Sequence, residues 1–178
     1  GLGLEAAARA SASPSPFAGA GRGVDGTASG EEQGLYGASL HEDAATASGL
    51  DIRAVLNNDT VGDPYGPHPR DGRRGDWGND RVRVFAEGVP LEATPDELRM
   101  ISRLGAENDS AARTLARYIW EVAAIHGLPV QPMVVYRNDR FLRGGDHTPF
   151  VRAGYAAVRF TVPFEDYARQ HEDVRIEN

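Results

Sequence analysis

Short apolar runs alternate with helical stretches over most of this chain, and that alternation restricts the fold more than any other feature. Residues 52–56 (Ile-Arg-Ala-Val-Leu) read as a buried strand bounded by polar residues, and 82–85 (Val-Arg-Val-Phe) as a second strand. Residues 132–136 and 157–161 supply a third and a fourth. The intervening stretches carry helix signals. Residues 34–48 predict a helix with Leu35, Leu40 and Ala44 on one face and Gly49 as its C-cap. Thr94-Pro95-Asp96-Glu97 is a capping-box pattern with Pro at the first helical position, so a helix runs from there to about Leu104. Asn108-Asp109-Ser110 caps a longer helix over 111–126, closed by Gly127, with Leu115, Tyr118, Ile119 and Val122 as its apolar face. The pattern predicts an α/β domain: a three-layer α/β/α arrangement around a mostly parallel mixed sheet.

The ends and one loop break the pattern. Residues 2–10 are rich in Ala, Leu and Glu and predict a short helix. Residues 11–30 are dominated by Ser, Pro, Gly and Ala and read as a loop, and residues 63–80 form a Pro- and Gly-rich surface loop whose Arg70, Arg73 and Arg74 are solvated. With 178 residues the chain suffices for one domain with one core, taken as residues 1–178. Its net charge of −7 argues against a nucleic-acid or anionic-membrane partner. The absence of cysteine excludes thiolate catalysis and Cys-ligated zinc. No apolar run approaches membrane-spanning length, and the first ten residues do not form a signal peptide.

Two adjacent acids, Glu31 and Glu32, stand in Ser29-Gly30-Glu31-Glu32-Gln33-Gly34-Leu35-Tyr36-Gly37. Neighbouring carboxylates repel and gain little in a fold, but they make sense if one meets a cation and the other works as a base. Asp59 lies just past the first strand in Asn57-Asn58-Asp59-Thr60-Val61-Gly62, where open α/β sheets place ligands. His147 lies in Gly144-Gly145-Asp146-His147-Thr148-Pro149-Phe150. Carboxylate and imidazole groups are oxygen and nitrogen ligands suited to zinc, and a free carboxylate beside the metal can take a proton from water. The residues thus point to a zinc hydrolase.

In these stretches the chain resembles the M28 family of zinc peptidases, the aminopeptidase group with two zinc ions. The family's Glu-Glu motif with Gln-Gly-Leu-x-Gly matches residues 31–37, its Asn-x-Asp-x-x-Gly motif 57–62, and its Asp-His-x-Pro-Phe motif 146–150. Residues 136–160 and Gln170-His171-Glu172-Asp173-Val174-Arg175 are similar to one branch of it. The resemblance implies a zinc-peptidase fold and Glu31 as general base and acid. It implies that Glu32 is a ligand of one zinc and that Asp59 and His147 are ligands of the other. It further implies a peptide substrate, hydrolysis of N-terminal peptide bonds, and a secreted or periplasmic setting. Asp146 orients a neighbour or caps its loop. Tyr136, Tyr155 and His171 are candidates for the pocket wall.

The chain also departs from the family. The family's early His-x-Asp motif and the Asp that bridges its two metals are not found, and residues 3–10 look like the helix after that bridge. On this reading the chain is incomplete at both ends, binds zinc weakly and hydrolyses little by itself. Two alternatives stay open: a catalytically dead relative that keeps the fold as a binding surface, and a metal-dependent hydrolase of other amides or a glutaminyl-type cyclase. His41, His68 and His126 read as surface residues, and Trp77 and Trp120 as packing residues.

Overall fold

The structure is a computed structural model that describes residues 30–31, 34–62, 73, 80–90, 92–139 and 144–166. The helix predicted over 2–10, nearly all of the loop predicted over 11–30, and most of the loop over 63–80 lie outside the described residues. The described elements are α1 (Tyr36–Ala47), β1 (Val55–Asn58), β2 (Arg81–Phe85), α2 (Pro95–Leu104), a 3-10 turn (Ala106–Asn108), α3 (Ala111–Ile125), β3 (Gln131–Val135), α4 (Thr148–Arg152) and β4 (Ala157–Thr161). Their order bears out the α/β expectation.

The strands form one mixed sheet in the order β1-β4-β2-β3. β1 runs parallel to β4 and β2 parallel to β3, while β4 and β2 are antiparallel. Side chains alternate across a pleated sheet, and the register sorts this sheet into two unlike faces. Asn57, Arg159 and Phe85 are aligned across three strands on one face, with Arg83 opposite Thr161 beside them. Val82, Val84, Val134, Val158 and Phe160 occupy the other. The second face is apolar and α3 covers it: Val84, Ala86, Ala112, Ala116 and Val158 are buried together, with Leu115, Ile119 and Val134 packed around them. The first face is polar and lies on the side of α4, with α1 packed outside α4. The polar face carries the candidate site.

Local signals set most element ends. Thr94 Oγ1 accepts the Glu97 N–H and the Glu97 carboxylate accepts the Thr94 N–H, a complete capping box ahead of Pro95. Ser110 Oγ accepts from the Arg113 N–H at 3.1 Å and starts α3. α1 ends as predicted at a left-handed Gly49 (φ 65°), with the Leu50 N–H bonded back to the Ala45 carbonyl.

Four expectations need correction. The first strand spans Val55–Asn58 rather than 52–56, and it is an edge strand with alternating exposure, so Leu56 is 56% exposed instead of buried. α1 buries Ala38 and Ala45, whereas Leu40 and Ala44 face outward. Where α1 meets α4, the small Ala38 and Ala45 are enclosed while the His41 ring packs edge-on against Phe150, 5.7 Å between centroids. On α3 the close approach to the sheet is made by Ala112, Ala116 and Ala123, and Tyr118 turns outward. Trp120 is likewise 52% exposed and does not fill the core.

Candidate functional site

Each candidate side chain is delivered by a turn next to a regular element. The Asp59 N–H donates to the Phe160 carbonyl at 3.1 Å, which extends the β1–β4 ladder by one residue. Asp59 therefore leaves the sheet at the C-terminal end of β1, as expected. Thr60 then adopts a left-handed conformation (φ 53°), and its carbonyl accepts from the Val162 N–H at 3.0 Å. Glu31 sits in the turn that starts α1, where its carbonyl accepts the N–H groups of Gly34 and Leu35 at 3.0 Å. His147 precedes α4, and its carbonyl accepts the Val151 N–H at 3.0 Å. Three stretches far apart in sequence thus converge on the polar face.

The cluster has a buried cation that the sequence reading did not single out. Arg159, mid-strand in β4, is 1% exposed. One arm, Nη1, is paired with the buried carboxylate of Asp139 and donates to the Gly144 carbonyl at 3.2 Å. The other, Nη2, lies 2.6 Å from Asp59 Oδ2. Gly145 is packed tightly against this assembly. A β-carbon there would stand 3.0 Å from Arg159 Cδ and 3.2 Å from His147 Nδ1. A charged residue inside Ala157-Val158-Arg159-Phe160-Thr161, an otherwise apolar strand, was the available signal, because buried arginines need acid partners.

Electrostatics knits the groups together. The Glu31 carboxyl is pushed up to about 7, first by burial, then by the charge of Asp59 and a side-chain hydrogen bond with it, and then by Asp146. Arg159 pulls the other way. Asp146 is raised by burial and by Asp59. Burial also lowers His147 and keeps its ring neutral, the form that binds metals. His147 Nε2 lies 2.9 Å from the Asn138 carbonyl. A carbonyl only accepts, so Nε2 carries the proton and Nδ1 keeps a lone pair. That Nδ1 and Asp146 Oδ1 are buried without a hydrogen-bond partner.

The structure brings together Glu31, Asp59, Asp146 and His147. Glu32, Arg143 and His171 lie outside the described residues. Tyr136 and Tyr155 do not join the cluster. The Tyr136 ring lies under the Arg113 guanidinium, 5.2 Å from it, and the Tyr155 hydroxyl pairs with Thr46 on α1 at 3.1 Å. Beside the cluster, an open depression of about 390 Å³ is lined by Gly34, Leu35 and Glu42 on one side and Pro149 and Arg152 on the other.

The donor set fits zinc in kind: carboxylate oxygens and a neutral imidazole whose other nitrogen is fixed by a backbone carbonyl. Among the described residues, no three His, Asp or Glu side chains come together closely enough to hold a metal ion. The described groups therefore fit as part of a metal site.

The comparisons point the same way. The chain is 43% identical over 155 residues to a probable zinc metalloprotease of Pyrenophora tritici-repentis, covering 86% of this chain and 31% of that protein. A probable zinc metalloprotease of Leptosphaeria maculans is 43% identical over 150 residues, 84% of this chain and 33% of its own length. One from Pyricularia oryzae is 42% identical over 149 residues, 83% of this chain and 28% of its own. The chain spans about a third of the length of these curated relatives. No protein-family model matches it.

Proposed function

We propose that this chain carries part of the catalytic site of a zinc-dependent metallopeptidase. The observation that supports this best is the convergence of Glu31, Asp59, Asp146 and His147 on one face of the sheet, next to a single buried guanidinium. Four carboxylates, counting Asp139, surround one Arg159, and such a surplus of negative charge favours a further cation. Relatives named as zinc metalloproteases support the choice of zinc. In a site that takes two ions when whole, Glu32 would be a ligand of one and Asp59 and His147 ligands of the other. Asp59 and His147 are two ligands where catalytic zinc takes three, so binding by the described residues alone is weak.

A bound zinc ion supplies Lewis acidity toward water and toward the scissile carbonyl. Glu31 accepts a proton from water on its carboxylate and returns it to the leaving amine. A carboxyl whose affinity for protons is raised by burial suits that exchange near neutral pH. Asn138 holds the His147 ring in one tautomer, and Asp146 adds negative charge beside Asp59. We extend the proposal to hydrolysis of N-terminal peptide bonds, in a secreted or periplasmic setting.

Elemental analysis of the chain dialysed to equilibrium against zinc-containing buffer, with a Glu32→Ala/His147→Ala control, tests the metal. Zinc in the wild type and none in the control is expected. Glu31→Gln should keep its zinc and lose roughly 10²–10⁴-fold in turnover of aminoacyl substrates. One observation favours a second reading, a non-catalytic relative with the same fold: Arg159 already meets Asp59 without a metal. Absence of zinc from the wild type would decide for that reading.

A further inference from the structure

We infer that Arg159 is a positioning residue that fixes the carboxylate of Asp59, and that Asp139 is the anchor from which it does so. The inference rests on the zinc reading above. Arg159 is almost wholly enclosed, so it reaches neither substrate nor solvent. Its guanidinium is held at one end by Asp139, itself 4% exposed, and by the Gly144 carbonyl. Those contacts, with Gly145 packed against Cδ and Nε, leave the side chain one course across the face of the sheet. That course ends with Nη2 at Asp59 Oδ2. A rigid planar fork held at one end aims its other arm, which a flexible ammonium does not do. Asp59 is thereby held at one oxygen, Oδ2, by charge at close range rather than by an aligned hydrogen bond. The turn at Thr60 fixes its backbone, and the same carboxylate shares a side-chain hydrogen bond with Glu31 that a bound cation would replace. Partners that orient a ligating carboxylate in this manner typically govern metal affinity by 10- to 100-fold.

The same arrangement explains Asn138 and Asp139 together. They are adjacent residues just past β3, and they hold His147 and Arg159 respectively. Both candidate ligands on the described chain therefore take their orientation from one two-residue segment.

The test is zinc affinity by competition with a chromophoric chelator, and the visible spectrum of the cobalt(II)-loaded chain, both on the full chain. Arg159→Met alone strands the buried Asp139 charge and destabilises the fold, so the informative variant is Arg159→Met/Asp139→Asn. Arg159→Lys is the second variant: it keeps the charge but cannot span Asp139, Gly144 and Asp59 together. The expected result is a double variant that melts like the wild type, binds zinc 10- to 100-fold more weakly and shows an altered cobalt spectrum, with Arg159→Lys also weakened. Wild-type affinity and spectrum in a folded double variant, or in Arg159→Lys, would overturn the inference and leave the zinc reading standing. A wild type that takes up neither metal would overturn both.

Discussion

Gly88→Ala should destabilise this domain from a position outside the carboxylate cluster. Gly88 is buried in the turn after β2. A β-carbon there would stand 2.1 Å from Arg113 Cζ, 2.2 Å from Arg113 Nε and 2.2 Å from the Glu107 carbonyl oxygen. The guanidinium can swing away only by giving up its bonds to Asn108 Oδ1 (3.1 Å) and the Tyr136 carbonyl (3.0 Å). Each such bond from a charged donor contributes about 1.5–3 kcal/mol. The Glu107 carbonyl is backbone and cannot move without shifting the turn at Ala106–Asn108. Overpacking of this kind costs about 1–3 kcal/mol by itself. With one bond of the Arg113 network lost, the total is about 2.5–6 kcal/mol, or roughly 5–24 °C in melting temperature for a chain of this size. Urea denaturation of wild type and variant, followed by circular dichroism, measures it. The effect should reach the site as well, since Arg113 holds Tyr136 and the chain runs on to Asn138 and Asp139. An alanine variant within about 0.5 kcal/mol of wild type would refute the reasoning, because it would mean the turn yields freely.

In chelator, the stability of the chain should fall as pH rises from about 4.5 to about 7. Burial and Asp59 raise Glu31 above its ordinary value, so the folded state favours the proton, and its contribution is whole below the unfolded value and lost as pH climbs through the folded one. Glu31→Gln should flatten that part of the urea-midpoint profile, and an unchanged slope would count against the cluster. Arg83→Met should cost about 3–5 kcal/mol, since it strips the buried Glu165 of a partner 2.7 Å away. Adding Glu165→Gln should recover most of this, and a single variant losing under about 1 kcal/mol would show that the pair does not tie residues 162–166 to the sheet.

Helix ends were legible in the sequence because their chemistry is local. The Thr94–Glu97 capping box, Ser110 and the left-handed Gly49 each act within a few residues. Strand β4 was read to the residue, and Asp59 was correctly placed past the end of β1. Side-chain burial was less legible, because it depends on which elements meet. Leu40 and Tyr118 look like core residues on a helical wheel, yet α1 and α3 approach their neighbours through alanines. Of the site, Glu31, Asp59, Asp146 and His147 could be picked out because each stands in a distinctive stretch. Arg159 could be flagged only as a charge inside a strand, and Asp139 and Asn138 not at all. Their roles exist only in the pairing of β4 with the segment after β3, a relation that no short window of sequence contains.

The two faces of the sheet contribute to stability with opposite signs. The face under α3 buries valines and alanines with no polar group to satisfy, and that burial favours folding. Among the described residues, the other face gathers Glu31, Asp59, Asp139 and Asp146 about the Arg159 guanidinium and leaves buried atoms of Asp59, Asp146, His147 and Arg159 without hydrogen-bond partners. Repulsion and desolvation there oppose folding at neutral pH, as the raised carboxyls of Glu31 and Asp146 show. A fold keeps such a face when something outside the polypeptide makes use of it. A cation bound only by the folded state would reverse the penalty, adding about 2.7 kcal/mol at a hundredfold excess over its dissociation constant. The polar face therefore makes sense, on the zinc reading proposed above, as a half-compensated charge cluster: Arg159 offsets part of the negative charge, and an ion would offset the remainder.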